Sequence, residues 1–148
     1  MIDSRTVNVE GARVAYRMQG NGPPIVLVNG KAALDVHWGP VIPALAKQWT
    51  VISLDYSGSG DTTDDGSALS LQKLANQVIG TAEAAGLDRF DLVGHSLGAA
   101  VAISYVEHGS PILPHVWVHR IQAARFKLHP WQTLLALCHQ GIDELCRR

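Results

Sequence analysis

Polar and apolar residues alternate along the first stretch of the chain. Val7 and Val9, then Val14 and Tyr16, have mostly polar neighbours, and Gly11 lies between the two runs. A period of two puts every second side chain on one face, which predicts a hairpin of two half-buried strands. Gln19 to Pro24 is a Gly/Pro/Asn turn cluster. The pattern then changes. Ile25-Val26-Leu27-Val28 is short, continuous and rich in β-branched residues, as in a strand buried on both faces of a parallel sheet. Trp49 to Leu54, ending in Asp55, and Phe90 to Val93 repeat that signature.

Between these runs the period lengthens. Trp38, Val41, Ile42, Leu45 and Ala46 have helical spacing, so residues 38–47 predict a helix. Pro40 and Pro43 are tolerable there only if its first turn begins late. Tyr56 to Ser70 is polar and glycine-rich, hence loop. Leu71, Leu74, Ala75, Val78, Ile79 and Ala82 follow the i, i+3, i+4 rule, with Gly86 as the stop. Leu97 to His108 reads as an apolar, alanine-rich helix. The alternation predicts an α/β fold: a mostly parallel sheet with an N-terminal antiparallel hairpin and helices on both faces, joined by right-handed crossovers. No internal repeat or low-complexity tract is present.

After Gly109 the period fades. Ile112 to His119 is a strand candidate weakened by Pro114. Arg120 to Leu128 and Pro130 to Cys146 read as helical around the His129-Pro130 break, with Gly141 interrupting the second. A divergent loop and a disturbed reading frame both fit the segment from Ser110 to His115, and resequencing past codon 148 distinguishes them. The organisation expected is one partial domain over 1–148, with a core half over 1–108 and a weak strand plus cap-like helices over 109–148.

Composition narrows the partners. Hydrophobic residues are 47% of the chain and charged residues 17%, which argues against intrinsic disorder. Twelve basic and thirteen acidic residues give a formal net charge of −1, with no electrostatic draw on nucleic acid or an anionic membrane. No apolar run approaches the roughly 20 residues of a membrane-spanning helix, and the N-terminus lacks the layout of a secretory signal. Cys138 and Cys146, placed on one helix, would lie about 12 Å apart along its axis, too far to bridge. The expectation is a reduced, cytoplasmic protein with no nucleic-acid or membrane partner.

The most informative stretch is Gly94-His95-Ser96-Leu97-Gly98, between a buried strand and an apolar helix. It matches the G-x-S-x-G nucleophile elbow in its required context. The serine must sit on a sharp strand-to-helix turn so that its hydroxyl stands above the sheet. Residues two before and two after lie close to that turn, where a Cβ would collide, hence Gly94 and Gly98. The helix from Leu97 aims its N–H groups and dipole at the place where negative charge would develop.

Three blocks in order and register carry a wider resemblance: Ile25 to Gly30, Trp49 to Gly60 with its Asp-x-x-Gly-x-Gly ending, and the elbow. Trp38 followed by Val41 to Leu45 adds to them. Over residues 5 to 108 the chain resembles the N-terminal half of an α/β-hydrolase. The resemblance implies a serine hydrolase, esterase-like, acting on a small-molecule ester or related acyl substrate, with Ser96 as nucleophile and neither cofactor nor metal. It implies an oxyanion hole from the backbone N–H groups of Leu97 and Lys31. Gly94, His95 and Gly98 would support the elbow, and Asn29 and Gly30 the oxyanion turn. Asn29 stands where the family more commonly has His, and Asn76 where its helix often has Asp.

In that family the chain order is Ser, then Asp or Glu, then His, and the resemblance implies that this chain stops near the middle of a whole domain. Of the later acids, Glu107 lies eleven helical residues from Ser96, about 16 Å, and Asp143 and Glu144 have no strand end to fix them. His108, His115, His119, His129 and His139 are not in a late strand-end loop, and His37 lies near the oxyanion turn. The triad acid and base are therefore unassigned. A non-catalytic truncated hydrolase, a ligand-binding remnant and an acyltransferase of the same fold stay open beside the hydrolase.

Other signals are weak. His115 and His119, or Cys138, His139 and Cys146, do not make a zinc signature. Gly58-Ser59-Gly60 lacks a nucleotide fingerprint. Asp61, Asp64 and Asp65 suit a solvated turn better than a calcium loop. A sheet ending early on an apolar strand is expected to self-associate through its edge. Light scattering on the gel-filtered chain tests this, and a stable 15.9 kDa monomer is the contrary result.

Overall fold

A computed structural model describes residues 2–30, 38–107 and 116–119. Lys31, His37, His108, His115, His129, His139, Cys138, Cys146, Asp143, Glu144 and the helices expected after residue 119 lie outside the described residues.

Strand β1 (Asp3–Val9) pairs antiparallel with β2 (Ala12–Gln19), Val9 opposite Ala12. Only Glu10 and Gly11 separate them, with φ of 46° and 80°. Two left-handed residues give a hairpin turn whose twist matches the strands. Ala12, Val14 and Tyr16 are buried on one face and Arg13 is exposed on the other, as the alternation predicts.

The parallel core consists of β3 (Pro24–Val28), β4 (Thr50–Asp55), β5 (Asp91–His95) and β6 (Val116–His119). The strand order is β1-β2-β4-β3-β5-β6, with only the β1–β2 and β2–β4 pairings antiparallel. Val26 lies between Ile52 and Leu92, and Val28 between Leu54 and Gly94. Both faces are covered, which is why these strands read as continuous apolar runs. Ile25, Leu27 and Val51 pack with Trp38, Val41 and Leu45 on one face. Val26, Val28, Ile52, Leu54 and Leu92 join the larger cluster on the other, under two helices.

Those two helices are α2 (Leu71–Ala84) and α3 (Leu97–Glu107). The Ser70 hydroxyl caps α2 by accepting the Lys73 N–H at 3.1 Å. Gly86, at φ 71°, ends it: its N–H reaches Glu83 O and that of Leu87 reaches Ala82 O, the paired bonds of a glycine C-cap.

Several predicted boundaries shift. The helix expected over 38–47 is only α1 (Ile42–Leu45) between turns. Pro43 sits in its first turn, where it offers no N–H and its ring blocks extension upstream. Trp49 falls outside β4 because its N–H closes the turn after α1 on Leu45 O at 2.9 Å. Strand β5 begins one residue later than predicted and runs on to His95, in register with β3 from Ile25 to Val28. Of the weak candidate from Ile112 to His119, the strand occupies Val116–His119, and Ile112 to His115 lie outside the described residues. Residues beyond β6 do too, and with them the expected edge.

The layout fixes where a site can form. The chain leaves β3 toward β4 by way of α1, on one face, and leaves β5 toward β6 by way of α3, on the other. A single handedness of crossover requires opposite faces for opposite directions. The chain thus leaves the neighbouring strands β3 and β5 in opposite directions, and the point of such a switch is where open α/β sheets bind ligands. Asn29 and Gly30 follow the end of β3 and Ser96 the end of β5.

Candidate active site

Ser96 follows the last residue of β5 and precedes α3, with φ at 55° and an exposed side chain. A left-handed backbone costs a non-glycine residue ~1–2 kcal/mol. Glu10 is the other such residue among those described, and a two-residue hairpin accounts for it. At Ser96 the chain must reverse from strand to helix within one residue. The Ser96 carbonyl is already used by Ala99 N–H at 3.0 Å, so the helix begins immediately.

The two glycines of the motif are sterically required. A Cβ on Gly94 would lie 2.3 Å from the Gly98 carbonyl oxygen. A Cβ on Gly98 would lie 2.2 Å from Val28 O and 2.5 Å from Asn29 O. Every one of these contacts is main chain, so no side-chain rotation relieves them. Gly98 also seats the start of α3 directly on the end of β3, which brings the elbow against the Asn29-Gly30 turn. Asn29 and Gly30 are both buried. The turn's next residue, Lys31, lies outside the described residues, so of the two expected N–H donors only Leu97 is placed, at the first position of α3. Leu97 is half-buried against the larger core cluster.

His95 is buried beneath the elbow, its ring edge-on to Trp38 with centroids 6.3 Å apart. Glu107 ends α3, a full helix length from Ser96, and His119 ends β6 opposite His95. Apart from His95, every other histidine of the chain except His119 lies outside the described residues, as do Asp143 and Glu144.

Sequence reasoning assigned no role to Tyr56. Tyr56 is 2% exposed, and its one hydroxyl hydrogen is shared between Asn29 O, at 2.8 Å, and Gly30 O. Burial pushes its pKa up to about 12. A buried phenol must find an acceptor, and here the neighbouring strand's turn supplies it. The rest of the Asp-x-x-Gly-x-Gly block is tied down in the same way. Asp61 N–H donates to the Asp55 carboxylate at 3.3 Å, and a Cβ on Gly60 would fall 2.1 Å from that carboxylate. Gln77 of α2 takes the Ser57 N–H at 2.9 Å and donates to its hydroxyl at 2.6 Å.

The three loop aspartates go different ways. Asp61 pairs with Arg17 at 3.2 Å, Asp64 accepts the Gly66 N–H, and Asp65 accepts the Ser67 N–H and pairs with Lys73. Among the described residues no three His, Cys, Asp or Glu side chains converge as a metal-holding group, and no helix is long and apolar enough to cross a membrane. Asn76 ties α2 to the hairpin, its Nδ2 donating to Glu10 Oε1 at 2.6 Å.

The sequence model of a family described as "alpha/beta hydrolase fold" matches residues 23–125, more than half of the chain. A pyrrolizixenacetamide deacetylase of Xenorhabdus hominickii is 48% identical over 99 residues, 66% of this chain and 37% of that protein. A soluble epoxide hydrolase of Corynebacterium sp. (strain C12) is 30% identical over 110 residues, 74% of this chain and 38% of that protein. The solved structure of the epoxide hydrolase CorEH without ligand superposes with a TM-score of 0.75 at 27% identity, covering 88% of this chain and 48% of that one. The chain thus spans less than half the length of each.

Proposed function

The chain belongs to the alpha/beta hydrolase fold family, and on that premise we propose that it is a serine hydrolase acting on a small-molecule acyl substrate through Ser96. The observation that carries the reading is the exposed serine held at φ 55° between β5 and α3. A backbone outlier persists only where its surroundings enforce it, and such outliers gather at reactive sites. The Ser96 hydroxyl attacks the acyl carbon and loses its proton to a base. The N–H groups of Leu97 and Lys31 receive the developing oxyanion. The leaving alcohol or amine departs with a proton, and water then cleaves the acyl-serine ester.

The names of the relatives offer two bond types, an acetyl linkage and an epoxide, and the chemistry of the serine favours the first. Attack on an acyl carbon leaves an ester, which water clears. Attack on an epoxide carbon leaves an alkyl ether, which water does not clear, so a serine site would turn over once and stop. The deacetylase similarity at 48% identity points the same way.

A fluorophosphonate probe tests the proposal, because only an activated serine reacts with it. The expected result is one adduct, mapped by peptide mass spectrometry to Ser96 and absent from Ser96→Ala. No adduct at protein concentrations well above the probe overturns the hydrolase reading and leaves the non-catalytic one. Turnover of styrene oxide but not of an aryl acetate or acetanilide overturns the acyl substrate.

A further inference from the structure

We propose that Tyr56 is a positioning residue of the oxyanion turn, its hydroxyl holding the Asn29 and Gly30 carbonyls and thereby aiming the amide that follows Gly30. The inference deepens the serine-hydrolase reading and rests on it for the catalytic consequence. Tyr56 stands immediately after β4, the neighbour of β3 on the side away from β5. Its buried hydroxyl reaches carbonyls 26 and 27 residues upstream. In a trans peptide the C=O and the following N–H point in opposite directions. A donor tied to the Gly30 carbonyl therefore fixes the plane of the peptide that begins there.

Gly30 makes such a clamp necessary. Glycine has the widest backbone freedom, so a peptide beginning there can rotate unless its carbonyl is tied. The opposite end of the turn is already fixed, since Gly98 sits against Val28 O and Asn29 O. Helix α3 thus holds the start of the turn and Tyr56 its end. The pKa of about 12 keeps the phenol protonated, and so a donor, at any ordinary pH.

Tyr56→Phe in the 148-residue chain removes the hydroxyl and keeps the ring. Amide hydrogen exchange at Gly30 and Lys31 is expected to quicken about tenfold, with Val26 and Ile52 unchanged. Unchanged exchange at the turn overturns the clamp. In the unaltered chain, NMR should find a slowly exchanging Tyr56 hydroxyl proton with an Overhauser contact to the Gly30 methylene. Its absence overturns the clamp without any variant. Fluorophosphonate labelling of Ser96 should slow about tenfold in its bond-forming step at unchanged reagent affinity. Equal labelling of both proteins overturns the catalytic consequence. If neither is labelled, the hydrolase reading fails while the exchange measurement still decides the clamp.

Discussion

Two residues other than glycine hold a left-handed backbone among those described, Glu10 at φ 46° and Ser96 at φ 55°. Their surroundings differ. Glu10 closes a hairpin at the sheet's border, where it is exposed and its carboxylate takes one hydrogen bond from Asn76. Beside it, a Cβ on Gly11 would meet only the Asp65 side chain, at 2.7 Å, which can swing aside. Ser96 follows the end of β5, an internal strand, and the glycines around it face main-chain atoms that cannot move without moving β3 or α3. The same dihedral is thus a local consequence of turn length in one place. In the other it is imposed by packing across three elements. Only the second arrangement presents an exposed hydroxyl at the C-terminal end of the parallel strands.

The largest effect is expected where the crowding is greatest. Gly98→Val pushes a branched side chain into Val28 O and Asn29 O and should destabilise by about 3 kcal/mol or more, beyond ordinary overpacking. That corresponds to a thermal midpoint lower by about 10 °C. Gly11→Ala meets a movable side chain and pays mainly for its positive φ, about 1 kcal/mol. Thermal unfolding of the two proteins side by side checks this, and equal midpoints would erase the distinction between the turns.

Ser96 and Glu10 can be compared directly by glycine substitution. Ser96→Gly should abolish fluorophosphonate labelling while raising stability by ~1 kcal/mol, because the strain disappears with the hydroxyl. Glu10→Gly relieves similar strain but loses the Asn76 bond, worth ~1 kcal/mol. Its midpoint should stay within a degree or two of the starting chain, with labelling untouched. A loss of stability in Ser96→Gly equal to that of Gly98→Val would mean that the serine side chain holds the elbow together.

Much of this contrast was legible in the sequence. The apolar runs at Ile25 to Val28 and Trp49 to Leu54 announced buried parallel strands, and Gly94 and Gly98 announced close approach around Ser96. Boundaries set by hydrogen bonds were not legible. Trp49 fits a strand by composition, yet its N–H is spent on Leu45 O. The span 38–47 fits a helix by period, yet Pro43 confines it to Ile42–Leu45. The tie from Tyr56 to the Asn29-Gly30 turn was hidden for a different reason. It joins residues 26 and 27 positions apart, and only the adjacency of β3 and β4 brings them together.

The smallest effect separates the two regions by acid. Asp65 lies against the hairpin turn, and its carboxyl is held at about 2, well below its ordinary 3.8, chiefly by hydrogen bonds from Ser67 and then by Lys73. Its folded pKa is lower than its unfolded one, so the stabilisation is present above about pH 4 and disappears as the pH falls toward 2. Solvent screens so exposed a carboxylate, which keeps the effect modest. Asp65→Asn should therefore have a lower midpoint than the unaltered chain at pH 6, and the gap should close between pH 4 and pH 2. Ser96→Gly removes no ionisable side chain, so its gap should stay constant over that window. Thermal melts of the three proteins at half-unit pH steps would show it. A gap for Asp65→Asn that persists undiminished at pH 2 would remove the carboxylate from the account and leave the loop held by Lys73 and Ser67 alone.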